Sequence, residues 1–411
     1  NNMFIDWASE LTLLQHNPES HILKGFSLPV KKILVDQVVT FLLDGTNALR
    51  TLNSPSHVRW AMETCGEGFS LPIDEEESIS KVIKLYRCWA LDPKKRPQPI
   101  TDDFQFFIQR IIEQSSLLFE GRTCPKDLAE RHALLCSQVL DIYSNIGRTL
   151  RNEMSKDTWE IFLKIIIAVC DSILRSDAPS VVTPLQRRLC SQMQKVLFES
   201  WLLSGTHNPD LWAALQSRVR GWTQHMPLTA SWKVTCFALT KRTLSILYGS
   251  SGSNSNNNNQ AVVIKFDDSV QHLLLENEFV FYSWHRMLNL IGNPTLSIND
   301  PPILLAFMSG VELIVNQMLK VGFNSKKTDA NLISPTGNTI LHVFGAWLFD
   351  CILTNRPGFE EGTALAMKIL NNIMLSKHKT DFLPVYVSSY FSCLQRALST
   401  EGRVLVSAIT S

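Results

Sequence analysis

Apolar residues return along this chain at intervals of three and four. In "SISKVIKLYRCWAL", Ile79, Val82, Ile83, Tyr86 and Trp89 form one stripe, and Lys81, Lys84 and Arg87 take the opposite side. That is the spacing of a helix with one buried face. In "TDDFQFFIQRIIEQSSLLF" the stripe is Phe104, Phe107, Ile108, Ile111, Ile112 and Leu118. Thr101 is placed there as the N-cap, with acids in the first turn. A capping residue followed by Pro at Thr183-Pro184, Asn208-Pro209 and Asp300-Pro301 marks three further starts. The periodic segments predict helices near 27–50, 56–69, 76–92, 102–118, 126–152, 157–176, 183–204, 209–222, 229–248, 268–291, 302–321, 338–354, 359–376 and 384–399. Only "AVVIKF" at 261–266 reads as strand, and one strand makes no sheet. Many helices with short connections, and no βαβ alternation, predict an all-α fold. The expected form is an α-solenoid of irregular HEAT- or armadillo-like antiparallel hairpins, one module over residues 1–411.

Two polar stretches interrupt the pattern. "GSSGSNSNNNNQ" at 249–260 is low-complexity and predicts a flexible insertion between helices. "GFNSKKTDANLISPTGN" at 322–338 is a second loop, and a sub-boundary is placed near it.

Aromatic-x-x-Trp occurs five times: Phe4 with Trp7, Tyr86 with Trp89, Phe198 with Trp201, Phe281 with Trp284 and Phe344 with Trp347. With 21 Phe and 6 Tyr among 411 residues, ten Trp should give fewer than one such pair by chance. On a helix, residues three apart share a face, so each pair sets two large rings side by side. The pairs are expected to anchor helices in the core. Their spacing is irregular, so they mark no strict repeat.

Composition narrows the classes. Hydrophobic residues make 45% and charged residues 19%, enough apolar surface for a large core. A net charge of +1 removes a global electrostatic case for nucleic acid or an anionic membrane. Basic clusters, Lys94-Lys95-Arg96, Arg187-Arg188, Lys241-Arg242 and Lys326-Lys327, read as solvated faces and loops. The nine Cys are widely spaced, lack Cys-x-x-Cys and sit mostly in apolar runs, as expected of buried thiols in a reducing compartment. The most apolar run in this reading, "IFLKIIIAVC" at 161–170, is too short to span a bilayer, and the start lacks a signal-peptide pattern. A cytoplasmic protein without an integral membrane segment is the expectation.

Chemistry-bearing motifs are sparse. Gly-x-Ser-x-Gly, the phosphate-cradling loop, Gly-x-Gly-x-x-Gly after a strand and His-Glu-x-x-His are absent. His132 and Cys136 stand four apart on one predicted helix, a ligand spacing that lacks two further ligands, so a buried Cys beside a surface His is expected. His285 and His342 are expected in the core. The acidic run at 74–77 fits a helix N-terminus, and "DPKKRPQP" at 92–99 an exposed loop. No catalytic, cofactor or metal site is assigned.

Several stretches, in order, resemble a known family. "TWEIFLKIIIAVCDSIL" (158–174), "VLFESWLLSG" (196–205), "RGWTQHMPLTASWKVTCFALTKRTLSILYG" (220–249) and "YSWHRMLNLIGNP" (282–294) are similar to the N-terminal region of Ral GTPase-activating beta subunits. "MFIDWASELTLL", the stretch 56–91, "LHVFGAWLFD" (341–350) and "LPVYVSSYFSCLQRAL" (383–398) extend the resemblance over nearly the whole chain. The family often carries a long Ser/Pro-rich segment where only the 321–338 linker stands here. The resemblance implies a non-catalytic scaffold region that pairs with a catalytic alpha subunit and so acts on Ral GTPases indirectly. The family's GAP domain, with its catalytic Asn, is α/β and lies elsewhere; neither Asn208 nor Asn293 inherits that role. The alternative is a homotypic-assembly or membrane-recruitment adaptor that uses the basic clusters without touching the alpha subunit.

Overall fold

The computed structural model describes Leu23 and residues 25–120, 126–175, 183–248, 261–266, 268–324, 335–399 and 402–410. Among these are eighteen helices and one two-stranded sheet, so the all-α expectation holds in its coarse form. The low-complexity stretch 249–260, most of the 322–338 loop and the pair Phe4 and Trp7 lie outside the described residues. Contacts divide the chain into two compact units, Asn1–Ser204 and Gly205–Ser411. Gly205 sits at φ +62°, a conformation that ends a helix readily only with glycine.

The first unit holds α1 (Leu28–Leu43), α2 (Gly45–Thr51), α3 (Pro55–Gly66), α4 (Glu76–Leu91), α5 (Gln98–Asp102), α6 (Phe104–Ser116), α7 (Lys126–Thr149), α8 (Lys156–Leu174) and α9 (Pro184–Ser204). Its long helices pack on second neighbours. The succession α1, α4, α7, α9 makes one row, and α3, α6, α8 the other. The second unit repeats the scheme with α10 (Pro209–Val219), α11 (Met226–Tyr248), α12 (Asn277–Leu288), α13 (Pro294–Ser297), α14 (Pro301–Asn324), α15 (Gly337–Thr354), α16 (Glu360–Leu375), α17 (Pro384–Leu398) and α18 (Arg403–Thr410). Here α11, α14, α16 and α18 succeed one another, while α13, α15 and α17 form the second row.

Local chemistry sets these elements. Thr183 accepts from the Gln186 amide at 3.2 Å, and Gln186 Oε1 accepts from the Thr183 amide at 2.8 Å, a reciprocal cap on α9. Asn208 and Asn293 each accept from the amide two residues on, at 3.0 Å, and so cap α10 and α13. Asp44 breaks the helix expected over 27–50, because its carboxylate accepts from the Thr46 amide and hydroxyl and starts α2. Thr101 is no N-cap. It lies within the short α5, and α6 begins at Phe104 after Asp103.

The expected helix over 268–291 is also corrected. Strand β1 (Ala261–Lys265) pairs antiparallel with β2 (Val270–Leu274), matching Val263 to His272 and Lys265 to Val270. Period-two burial explains it: Val262, Ile264, Gln271 and Leu273 face the core, whereas the residues between them do not. Helix α12 then starts only at Asn277.

In α14, the stretch Pro301–Val321 is long and apolar enough to cross a membrane, a run longer than the 161–170 segment singled out from sequence. About 56% of it is buried within the unit, where Phe307, Val311, Ile314 and Val315 pack between α11 and α16.

Candidate functional site

The aromatic pairs distribute across both units. Tyr86 and Trp89 are buried in α4 with ring centroids 6.3 Å apart, and Phe69 meets Tyr86 edge-on at 5.3 Å. The Tyr86 hydroxyl reaches the Met62 carbonyl at 3.0 Å and the Gln114 side chain, tying α4 to α3 and α6. Phe198 and Trp201 are buried in α9. Phe344 and Trp347 in α15 stand 5.7 Å apart, and Trp347 also meets Phe307 of α14 at 5.6 Å. Phe281 and Trp284 differ. Both are half-buried, and Trp284 Nε1 donates to the Thr240 hydroxyl of α11 at 2.9 Å. No two of these pairs share a ring contact, so they line no common cage among the described residues.

The residues examined for chemistry serve structure. His132 is buried rather than on the surface: its Nε2–H donates to the Leu118 carbonyl at 2.6 Å. Cys136 Sγ points to the same carbonyl at 3.6 Å, so the two share an acceptor that closes the turn after α6. His285 and His342 are exposed, correcting their expected core placement. Among the described residues no group of three or more His, Cys, Asp or Glu could hold a metal ion. The 74–77 acids act as a helix start and as ion-pair partners, Glu75 with Lys32 at 2.5 Å and Glu76 with Arg131 at 3.6 Å.

The stretch 92–99 is not wholly an exposed loop. Arg96 is buried, and its Nε and Nη2 donate to the Trp89 and Ala90 carbonyls at 2.8 and 2.6 Å. Those carbonyls end α4 and have no partner within the helix. The guanidinium also lies 4.8 Å over the Phe104 ring. Arg96→Met is expected to cost about 1.5–3 kcal/mol in urea unfolding, and Lys94→Met, on the surface, less than about 0.5 kcal/mol. Equal effects would remove the capping role.

The thiols follow burial. Burial pushes Cys65, Cys190 and Cys393 up to about 12 and Cys351 up to about 11, and raises Cys170 and Cys236 as well. Only the thiolate alkylates readily, so these thiols are poor nucleophiles near neutrality. Among the described cysteines, iodoacetamide at pH 8, read by mass spectrometry, is expected to modify half-buried Cys88 first and the buried thiols only after denaturation. Early labelling of Cys65 or Cys236 would contradict the packing.

A different feature faces solvent. On α17 the residues Leu383, Val387, Phe391, Leu394 and Leu398 recur at helical spacing. Leu383, Phe391 and Leu398 are at least half exposed; Val387 and Leu394 are half-buried. The buried Cys393 and Ala397 lie on the flank next to this stripe, with Tyr390 donating to Asn371 Oδ1 of α16 at 3.1 Å, and the side opposite the stripe carries exposed Ser388, Ser392, Gln395 and Arg396. The apolar surface of α17 is therefore wider than the part used inside the unit. Val406 and Ile409 of α18 add exposed apolar surface. The sequence contains part of this signal, because the apolar positions of "LPVYVSSYFSCLQRAL" make a wide stripe, but periodicity alone does not say how much of it the fold covers.

Comparison with known proteins gives the chain its relatives. Residues 128–250 match the RALGAPB N-terminal domain. The chain is 36% identical over 282 residues to a Rap-GAP domain-containing protein of Dictyostelium discoideum, covering 68% of this chain and 16% of that protein. It is 27% identical over 317 residues to Ral GTPase-activating protein subunit beta of Homo sapiens, covering 74% of this chain and 20% of that protein. To subunit alpha-1 of Homo sapiens it is 26% identical over 263 residues, 60% of this chain and 12% of that one. The chain thus spans about a fifth or less of the length of these curated relatives. The chain is similar to Ral GTPase-activating protein subunit beta over about three quarters of its length, and residues 128–250 within that span match the RALGAPB N-terminal domain.

Proposed function

We propose that this chain is a non-catalytic scaffold region of the beta subunit of a heterodimeric GTPase-activating complex acting on Ral small GTPases. In this reading the alpha subunit is its partner, Ral is met only through the complex, and the setting is cytoplasmic. The helices are irregular HEAT- or armadillo-like hairpins, a reading supported by the two rows of second-neighbour packing within each unit. The observation that carries the proposal is the outward apolar stripe of α17, set in a chain similar to subunits of such complexes. Apolar side chains left in solvent at helical spacing favour burial against another protein. Similarity to both the beta and the alpha subunit adds support, since partners that share a region can pair through related surfaces.

The membrane-recruitment alternative loses ground at its own residues. Arg96 of the 94–96 cluster is buried, and Arg188 is held by Glu130 at 2.6 Å. The test is co-elution with light scattering, with the chain alone and then mixed with purified alpha subunit. A one-to-one complex is expected. A monomer that ignores the alpha subunit overturns the reading, and a self-dimer would assign the stripe to homotypic assembly.

A further inference from the structure

A groove of about 340 Å³ opens on the second unit between α11 and the outer face of β1. Its floor is apolar, with Phe237 from α11, Val263 from β1 and Leu313 from α14. Three cationic side chains stand around that floor: Lys241 and Arg242 from α11, and Lys265 from β1. None of its lining residues is acidic. Among the described residues, neither Lys241 nor Lys265 pairs with a carboxylate, and Lys241 Nζ instead lies 5.5 Å from the Phe237 ring. The arrangement follows from the two periodicities. The outer stripe of α11 repeats every three to four residues, and the β1 residues facing it repeat every two, so the fold brings the cations to one rim.

We propose that this groove docks a peptide segment of a partner protein that carries acidic residues beside a large apolar anchor. Charge complementarity selects the acid: three cations around one apolar floor repel a basic partner and attract carboxylates. The volume lies at the small end of the range of ligand pockets. The same face of the hairpin continues past the groove through Val270 and Leu274, which are more than half exposed and stand on either side of exposed His272. A small molecule would leave that flank unused, whereas an extended segment covers it. The proposal deepens the scaffold reading and rests on it for its biological sense, but its test does not need the alpha subunit.

The experiment is selection of random twelve-residue peptides displayed on phage against the whole chain, with counter-selection on a Lys241→Glu, Lys265→Glu variant. Both lysines are exposed, and an unchanged thermal melt establishes that the variant folds. Enrichment of sequences that join Leu, Phe or Trp to two or more Asp or Glu is expected. The strongest such peptide, made synthetically, should bind the variant at least about tenfold more weakly, with affinity falling as NaCl rises. Enriched peptides without acids, equal affinity for the variant, or no enrichment overturns the proposal. Lysine-dependent binding to phosphatidylserine vesicles with no peptide selected would also overturn it and assign the groove to lipid. A variant that loses the selected peptide yet still co-elutes with the alpha subunit separates failure of one reading from failure of the other.

Discussion

Replacing Trp201 by Ala is expected to destabilise the 1–204 unit by about 3–5 kcal/mol. The side chain is fully buried in α9, the helix that packs on both α7 and α8. The α7–α9 seam at the residues flanking it in sequence is in ordinary van der Waals contact. A Cβ placed on Gly147 of α7 would meet Ser200 Oγ at 3.6 Å, Leu203 at 3.7 Å and the Trp159 ring at 3.8 Å. Removing an indole there deletes its contacts and leaves a cavity that close-packed helices fill poorly. Trp347→Ala, 7% exposed and in contact with Phe307 and Phe344, should cost a similar amount in the second unit. Phe281→Ala, half-buried, should cost much less. Urea unfolding followed by circular dichroism checks all three. A Trp201 variant with an unchanged midpoint would show that the ring lies at a yielding surface rather than in a rigid core.

Arg148→Met is the second large effect, expected at about 3–5 kcal/mol. Glu199 of α9 is 1% exposed, and its carboxylate accepts from Arg148 Nε at 2.5 Å, Arg148 Nη2 at 3.1 Å and Ser144 Oγ at 2.8 Å. All three bonds cross from α7 to α9. The half-exposed guanidinium keeps part of its hydration, but the carboxylate depends on it and on one hydroxyl. Removing Arg148 leaves a buried charge with a single neutral donor, which costs far more than the pair contributes. The double variant Arg148→Met, Glu199→Leu should recover most of the loss, because apolar atoms then replace both charges. A double variant no more stable than the single would contradict this origin.

The legible part of the fold was whatever local period and capping determine. The α4 stripe, the reciprocal cap at Thr183 and the Asn caps at 208 and 293 follow from residues within one turn of each other. Features decided by partners from elsewhere were not legible. Arg96 looks like one of three surface cations until the end of α4 supplies two carbonyls for it. His132 looks like a surface residue until the Leu118 carbonyl arrives from the preceding turn. The β2 residues 270–274 are too few to separate a period of two from a helical one, and pairing with β1 decides. The break at Asp44 did have a signal, an Asp before Gly and Thr, which the long apolar run around it concealed. How much of the α17 stripe stays open, and the basic groove as a whole, were not legible in sequence either, since each depends on which faces the neighbouring helices cover.

The scaffold account is tested most directly by titrating purified alpha subunit into the chain and into its Phe391→Asp, Leu398→Asp variant by calorimetry. Both substituted side chains are at least half exposed, so the variant should fold and melt as the parent does. The account predicts one-to-one binding by the parent and at least about tenfold weaker binding by the variant, as for apolar anchors at the centre of an interface. Equal affinity for both, or no binding by either, would contradict it.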